Sequence, residues 1–114
     1  MKIIEKNHGR YIDFYMEGSR ISFDGGKLII DLEKEQRGGE TVVDISLDRD
    51  GAAVVGVSDW YTAQIRIPPR KFEVRENGIT DAMGFRQIEK GRLPLNTEEV
   101  TLTLWAMEEK NGTL

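Results

Sequence analysis

Apolar and polar residues alternate with a period of two along most of the chain. The stretch RYIDFYME places Ile12, Phe14 and Met16 on one side, and VTLTLWAM places Leu102 and Leu104 on one side in the same way. The stretches KLIIDLE and TVVDISLD follow the same rule. Strict alternation is typical of a strand that buries one face and exposes the other. The pattern therefore predicts an all-β fold.

Short turn-forming sequences separate these stretches. NHG at 7–9, DGG at 24–26, DRDG at 48–51 and NG at 77–78 supply residues that tolerate positive φ. Their regular spacing predicts about nine or ten strands joined by successive hairpins. We therefore expect residues 1–114 to form a single-domain antiparallel meander. Alternation alone leaves open whether the meander forms a barrel or a two-sheet sandwich.

Residues 77–96 interrupt the rhythm. The sequence NGITDAMGFRQIEKGRLPLN carries three glycines and one proline, and within it only GFRQIEK suggests a short strand. We expect the segment to be a long irregular excursion over the surface. Long loops of this kind often carry function or pack on their own domain.

The sequence DWYTAQIRIPPRKF holds two of the three prolines. Proline donates no hydrogen bond to a sheet, so the strand should end before Pro68 and turn a corner at Pro69. The following KFEVRE resumes the alternation and predicts that Phe72 and Val74 face inward. A recognition motif of the polyproline type would need a longer proline run, so we interpret both prolines as structural.

Both tryptophans, Trp60 and Trp105, fall on the polar side of their strands, as do Tyr15 and Met107. A tryptophan buries roughly 200 Å², so two of them on a wet face should be covered. The excursion or an offset between sandwich sheets is one cover, a partner subunit is a second, and a stacked small ligand or sugar is a third. A β-bulge before Tyr61 would instead turn Trp60 to the other face.

The chain has 16 basic and 20 acidic residues and a net charge of −4, which argues against a nucleic-acid partner. Basic residues nevertheless concentrate around the proline corner, since residues 60–75 carry Arg66, Arg70, Lys71 and Arg75 against the single acid Glu73. Acidic residues concentrate later in the chain, at Glu98, Glu99, Glu108 and Glu109. These patches would meet within one chain, pair between copies, or represent ordinary surface variation. The candidate interaction surface comprises Trp60, Trp105, Met107, Tyr15, Arg66, Arg70 and Lys71.

Catalytic and metal-binding chemistry finds little support. His8 is the single histidine and the chain has no cysteine, so a zinc site of soft ligands is excluded. No local motif joins His8 to a serine nucleophile. Asp13, Asp31 and Asp44 could form a row of ion ligands, but a solvated strand face is the favoured interpretation. We expect no metal or cofactor, and the sequence favours a role other than that of an enzyme.

The N-terminal sequence MKIIEKNHGR is too polar for a signal peptide, and no apolar run approaches the roughly 20 residues that a membrane helix needs. We therefore expect a cytoplasmic protein without a membrane partner.

The leading functional hypothesis is a non-catalytic protein-interaction or assembly module that binds itself or another protein. No motif assigns the chain to a family. By composition, small cysteine-free all-β chains of this kind resemble structural components of tailed-phage particles, which implies a part in a larger particle. The alternative is a small-ligand or carbohydrate-binding β domain that uses Trp60 and Trp105 as stacking platforms.

Overall fold

The computed structural model describes residues 1–107 of the 114-residue chain. Strands make up 50% and helix 7%, which confirms the all-β fold. The strands are β1 (Lys2–Glu5), β2 (Phe14–Glu17), β3 (Arg20–Phe23), β4 (Leu28–Asp31), β5 (Thr41–Leu47), β6 (Ala53–Val55), β7 (Trp60–Ile67), β8 (Phe72–Thr80), β9 (Arg86–Arg92) and β10 (Thr101–Leu104). A one-turn helix α1 (Leu32–Glu35) and a 3₁₀ turn (Thr97–Glu99) are too short to cross a membrane, and residues 1–107 hold no longer helix.

The strands form three sheets. The largest has the order β1-β10-β7-β5-β6, and its β1–β10 pair is parallel while its other neighbours are antiparallel. The expected meander is found in the smaller sheet, β2-β3-β4. In β10, Leu102, Thr103 and Leu104 are all buried, so both faces of the strand are covered. Such a strand is stable inside a sheet rather than at its edge.

The five-stranded and three-stranded sheets share one hydrophobic core. Ile21 and Phe23 of the smaller sheet belong to the same buried cluster as Ile45, Ile65 and Leu102 of the larger one. The larger sheet does not close on itself. The architecture is therefore an open, sandwich-like pair of sheets and not a closed barrel. We call these two sheets and their connections the body.

Helix α1 was not expected from the alternation, which continued the preceding strand through Leu32. Asp31 caps the helix, since its Oδ1 accepts hydrogen bonds from the backbone N–H groups of Glu33 (3.1 Å) and Lys34 (3.3 Å). An aspartate at this position satisfies donors that the first helical turn leaves unpaired. Leu32 nevertheless faces the core and is fully buried.

The predicted turns up to the proline corner all lie between strands, and DGG at 24–26, for example, joins β3 to β4. Pro68 and Pro69 link β7 to β8, which confirms the corner. DRDG closes the hairpin between β5 and β6, because Asp48 Oδ1 accepts from the N–H groups of Asp50 and Ala52, each at 2.9 Å. Gly51 supplies the positive φ, 82°, that this turn requires.

Residues 77–96 are not an irregular excursion. Most of them belong to a two-stranded antiparallel ribbon formed by β8 and β9, and we call Phe72–Arg92 the arm. The sequence at 77–78 does not turn the chain, because it lies inside β8, where the register slips between Glu76 and Thr80. The turn comes later, where Asp81 Oδ1 accepts from the N–H groups of Met83 (2.9 Å) and Phe85 (3.0 Å).

The arm gives the molecule an elongated shape. The structure measures 76 × 23 × 21 Å, with a radius of gyration of 19.7 Å. A compact chain of this length would have a radius of gyration of about 13 Å. The nine residues of β8 span about 30 Å at the usual rise of a strand, and neither β8 nor β9 pairs with a strand of the body. The arm therefore projects from the body.

Candidate interaction surface

A β-bulge decides where Trp60 points. The β5–β7 register slips between Ile45 and Ser46, which leaves Thr62 without a partner on β5. The extra residue reverses the alternation, so Trp60 lies opposite Leu47. Leu47 packs against the core. Trp60 is therefore a half-buried residue on the core side of the strand end and does not lie on the outer face.

Trp105 lies on the outer face of the five-stranded sheet and is covered by a neighbour within that sheet. The edge of its ring meets Tyr61, with ring centroids 4.8 Å apart and planes at 61°. This edge-to-face arrangement is favourable for aromatic pairs. Met107 is also engaged, since its side chain packs partly against the core and its N–H donates to the Arg10 carbonyl at 2.7 Å. Within residues 1–107, neither side chain is a free anchor.

Tyr61 also organises a small polar cluster. Its hydroxyl donates to Asp44 Oδ1 at 2.5 Å, and Gln64 Nε2 donates to the Tyr61 hydroxyl at 3.1 Å. Burial, followed by the hydrogen bond and negative charge of Asp44, raises the pKa of Tyr61 to about 12. Asp44 therefore has a structural partner. Within residues 1–107, no group of three or more His, Cys, Asp or Glu side chains is placed to hold a metal ion.

We predict that Tyr61 makes the fold sensitive to alkali. Its folded-state pKa of about 12 lies above the ordinary value of 10.0, so the folded state holds the proton more tightly. The resulting stabilisation is complete below pH 10.0 and is lost as the pH rises towards 12. Urea unfolding at increasing pH should show this loss in the wild type and a smaller loss in Tyr61→Phe. Tyr15→Phe, at an exposed position, is the control, and equal alkaline losses in all three proteins would contradict the assignment.

The basic residues near the proline corner are paired within the chain. Lys71 Nζ lies 2.9 Å from Glu99 Oε2, and Arg66 Nε lies 3.7 Å from Glu40 Oε1. The predicted acidic and basic patches thus meet at Lys71, while Glu108 and Glu109 lie outside the described residues. Exposed ion pairs of this kind contribute little to stability.

The first strand of the arm starts from a clamp at Gln36 and Arg37, the two residues that follow α1. Gln36 is 3% exposed, and its Nε2 donates to the carbonyls of Pro68 (3.1 Å) and Pro69 (3.3 Å). Arg70 completes the clamp, because its N–H donates to the Arg37 carbonyl at 2.8 Å and its Nη2 to the Gln36 carbonyl at 2.5 Å. The corner residue Arg70 is therefore a fixed structural element.

The second strand of the arm returns to the same helix. Arg92 Nη2 lies 3.7 Å from Glu33 Oε1, and the N–H of Leu95 donates to Glu33 Oε2 at 3.1 Å. Leu95 itself is buried in the core. Both ends of the arm are thus attached to α1 or to the two residues that follow it, and this attachment holds the base of the ribbon while the rest extends into solvent.

Large apolar side chains are exposed along the arm. From Lys71 to Lys90, every residue except Asn77 is exposed. The exposed large apolar residues are Phe72 (43%), Val74 (64%), Ile79 (54%), Met83 (81%), Phe85 (66%) and Ile88 (67%). The expectation that Phe72 and Val74 face inward is therefore wrong. The strand alternates as predicted, but no second sheet lies against its apolar face.

The apolar residues of the arm form two groups. Cross-strand pairing places Phe72, Val74 and Ile88 on one face of the paired strands β8 and β9, and Lys90 Nζ lies 4.4 Å from the centre of the Phe72 ring. The second group, which we call the tip, comprises Ile79, Met83 and Phe85 around the turn. The arm does not cover the tryptophans of the body, because such a contact would bury some of these side chains.

Tyr15 lies on the outer face of the three-stranded sheet. It pairs with Ser22, which pairs in turn with Ile29, and both Tyr15 (64%) and Ile29 (57%) are exposed. A shallow groove of about 300 Å³ runs beside Tyr15. It is lined by Asp13, Phe14, Tyr15, Ser22, Gly25 and Gly26. The candidate residues therefore do not form one surface. Tyr15 lies on the three-stranded sheet, whereas Trp60 and Trp105 lie on the five-stranded sheet or directly beside it. Arg66 lies on β7, and Arg70 and Lys71 lie where the arm is attached.

The residues that best qualify as an interaction surface, those of the arm, were not among the candidates from sequence. Comparison with known proteins gives no independent guide, since no protein-family model, curated protein or solved structure matches this chain. The functional argument therefore rests on the geometry of the arm.

Proposed function

We propose that this protein is a non-catalytic interaction module whose arm docks onto a protein partner and ties the body into a larger assembly. The observation that carries this proposal is the exposure of Phe72, Val74, Ile88 and the tip on a ribbon that is fixed only at its base. Scattered apolar residues are normal on a surface, but six large ones on one projecting element mark a binding region.

The backbone of the arm supports the same proposal. A two-stranded ribbon is marginally stable in water, and it becomes stable when further strands or a packed face are added. Both outer edges of the ribbon offer unpaired N–H and C=O groups, which is the arrangement used when one protein extends the sheet of another. A docked partner would supply both the missing strand and the missing apolar surface.

The test compares two triple variants. Ile79→Ser, Met83→Ser and Phe85→Ser together remove the tip, whereas the control replaces exposed apolar residues of the body, Ile3, Val55 and Val57, by serine. We expect wild type and control to migrate in a complex larger than the monomer, in purified form or in an extract of cells that make the protein. The tip variant should migrate as a monomer. A wild-type protein that is monomeric in both settings would contradict the proposal.

The groove beside Tyr15 favours a second candidate, the binding of a small ligand. An exposed aromatic ring next to the Asp13 carboxylate and the Ser22 hydroxyl offers stacking and hydrogen bonding together. The tryptophans are less suited to this role, because Tyr61 already contacts the Trp105 ring. Nuclear magnetic resonance shifts at Ser22 and Gly25 on addition of sugars, lost in Tyr15→Ala, would support this candidate. The absence of such shifts would count against it.

A further inference from the structure

We infer that the partner of the arm is a second copy of this chain, and that β8 pairs antiparallel with β8 of that copy about a twofold axis at Val74. This inference rests on the proposed function, since it names the partner that the arm binds. It follows from two features of β8: the direction of its free backbone groups and the order of its charges.

The backbone hydrogen bonds fix which groups of β8 are free. The N–H of Leu93 donates to the carbonyl of Lys71 at 2.9 Å, so this residue pair is hydrogen-bonded. Along an antiparallel pair, hydrogen-bonded and non-hydrogen-bonded positions alternate. The register is continuous from Phe72 to Glu76. Glu73 and Arg75 therefore bond inward to β9, while Phe72, Val74 and Glu76 direct their N–H and C=O groups towards the free edge.

The sequence of this edge is complementary to itself. When Phe-Glu-Val-Arg-Glu, residues 72–76, is laid antiparallel on a second copy with Val74 opposite Val74, Glu73 lies opposite Arg75 of the second copy. The twofold axis repeats the pair with the roles exchanged. Phe72 lies opposite Glu76 of the second copy, and all outward backbone groups in this stretch find partners.

The pairing places Glu73 and Arg75 of the second copy at the positions where cross-strand side chains lie closest and interact most strongly. In the paired edge, Phe72, Val74 and Glu76 take the hydrogen-bonded positions, so Glu73 and Arg75 take the non-hydrogen-bonded ones. Cross-strand side chains approach most closely at non-hydrogen-bonded positions, where the Cα atoms are about 4.5 Å apart. Both side chains are accessible, with 48% of Glu73 and 62% of Arg75 exposed, although they already form an intrachain pair at 3.2 Å.

The register centred on Phe72 sets Lys71 opposite Glu73 of the second copy, but it also pairs Glu76 with Pro68, which has no N–H to donate to the paired edge. The registers centred on the other neighbouring residues lack the charge complementarity. Centring the axis on Glu73, Arg75 or Glu76 places two like charges directly opposite each other, which is destabilising. The other edge of the arm is no better, because centring β9 on Ile88 brings Arg86 opposite Lys90 of the second copy, and centring it on Glu89 pairs two glutamates. Apart from the Phe72 register, the Val74 register of β8 alone pairs opposite charges.

Pairing at Val74 also enlarges the sheet and brings the exposed apolar side chains of the two arms together. The product is a four-stranded sheet, β9-β8-β8-β9, which exceeds the minimum of three strands for a stable sheet with an apolar face. Phe72 and Val74 of both copies then adjoin on one face. Because the two arms run in opposite directions, the tip of each extends towards the body of the other copy.

The experiment measures the self-association of the full chain by analytical ultracentrifugation. Glu73→Arg should weaken it by about 10-fold or more, because both symmetric pairs become repulsive. Arg75→Glu should weaken it as well. An equimolar mixture of the two variants should associate again, since each Arg then faces a Glu. The control is Glu5→Arg, an exposed charge change of equal size on β1, which should leave association unchanged.

A backbone variant checks the edge independently. Val74→Pro removes an outward N–H without removing a bond to β9, so the arm should persist while self-association is lost. Association that is unchanged in Glu73→Arg and Val74→Pro would overturn the inference, as would a mixture that fails to recover. Loss of a complex with a different protein in the tip variant, without any wild-type self-association, would overturn the self-pairing and leave the proposed function standing.

Discussion

Replacing Phe23 with alanine is expected to lower the free energy of unfolding by about 3–5 kcal/mol. Phe23 is fully buried on β3, between Phe14 of β2 and Leu28 of β4, and it belongs to the core that both sheets share. Its removal would leave a cavity in that core. A loss of this size is a large part of the roughly 5–15 kcal/mol that stabilises a typical domain. Urea unfolding should show a lower midpoint with an unchanged slope.

The matched control is Phe85→Ala on the arm. The chemical change is identical, but Phe85 is 66% exposed, so the expected loss is below about 0.5 kcal/mol. Comparable losses in the two variants would mean that the tip packs on the body, and the description of the arm as a free element would then be wrong.

Alternation predicted the body well because its outer strands bury one face against the shared core. In β4, Ile30 is buried while Ile29 is exposed, as their positions in KLIIDLE indicate, and Tyr15 of β2 is exposed on the polar side of its strand. A strand with one buried face leaves a period of two in the sequence, and that period records the direction of each side chain. The turn residues then locate the ends of the strands.

The arm shows what alternation does not record. Phe72 and Val74 alternate with charged residues in the same way as the core strands, so the sequence indicates a strand with an apolar face. Whether another element covers that face depends on the tertiary arrangement, which has no local signature. Glycine at 78 added to the difficulty, because it sits at a slip in the β8–β9 register and not in the turn.

The position of Trp60 was undetermined for a related reason. A bulge adds one residue to one strand, and Thr62, the extra residue, is an ordinary strand former with no sequence mark of its role. Its effect is to exchange the two faces for every residue beyond it. The sequence therefore indicates that the tryptophans need a cover. For Trp60, only the β5–β7 register shows that the residue lies on the core side.

The candidate interaction residues, because they were selected by residue type, favoured tryptophan and charged side chains. Trp105 and Lys71 have intrachain partners, whereas the tip, which has the stronger claim to be an interaction site, has neither a tryptophan nor a net charge excess. A usable signal was present nonetheless. Two alternating stretches, FEVRE and RQIEK, flank a short segment in which Ile79, Met83 and Phe85 are placed among turn residues, a pattern that indicates a hairpin with an apolar end.

Excising the arm should change the dimensions of the molecule more than any point substitution. Phe72 and Arg92 are cross-strand partners, so residues 73–91 can be replaced by an Asn-Gly turn that joins the two strands at the base. Small-angle scattering, at concentrations where the chain is monomeric, should show a radius of gyration that falls from 19.7 Å to about 13 Å.

The body should keep its stability within about 0.5 kcal/mol, because the excised residues contribute nothing to the buried core. The Gln36 clamp and the Leu95 contact with Glu33 remain in this variant, so it isolates the projecting ribbon from its attachment. A radius of gyration that stays near the original value would show that the arm lies against the body in solution, and a large loss of stability would show that the body depends on it.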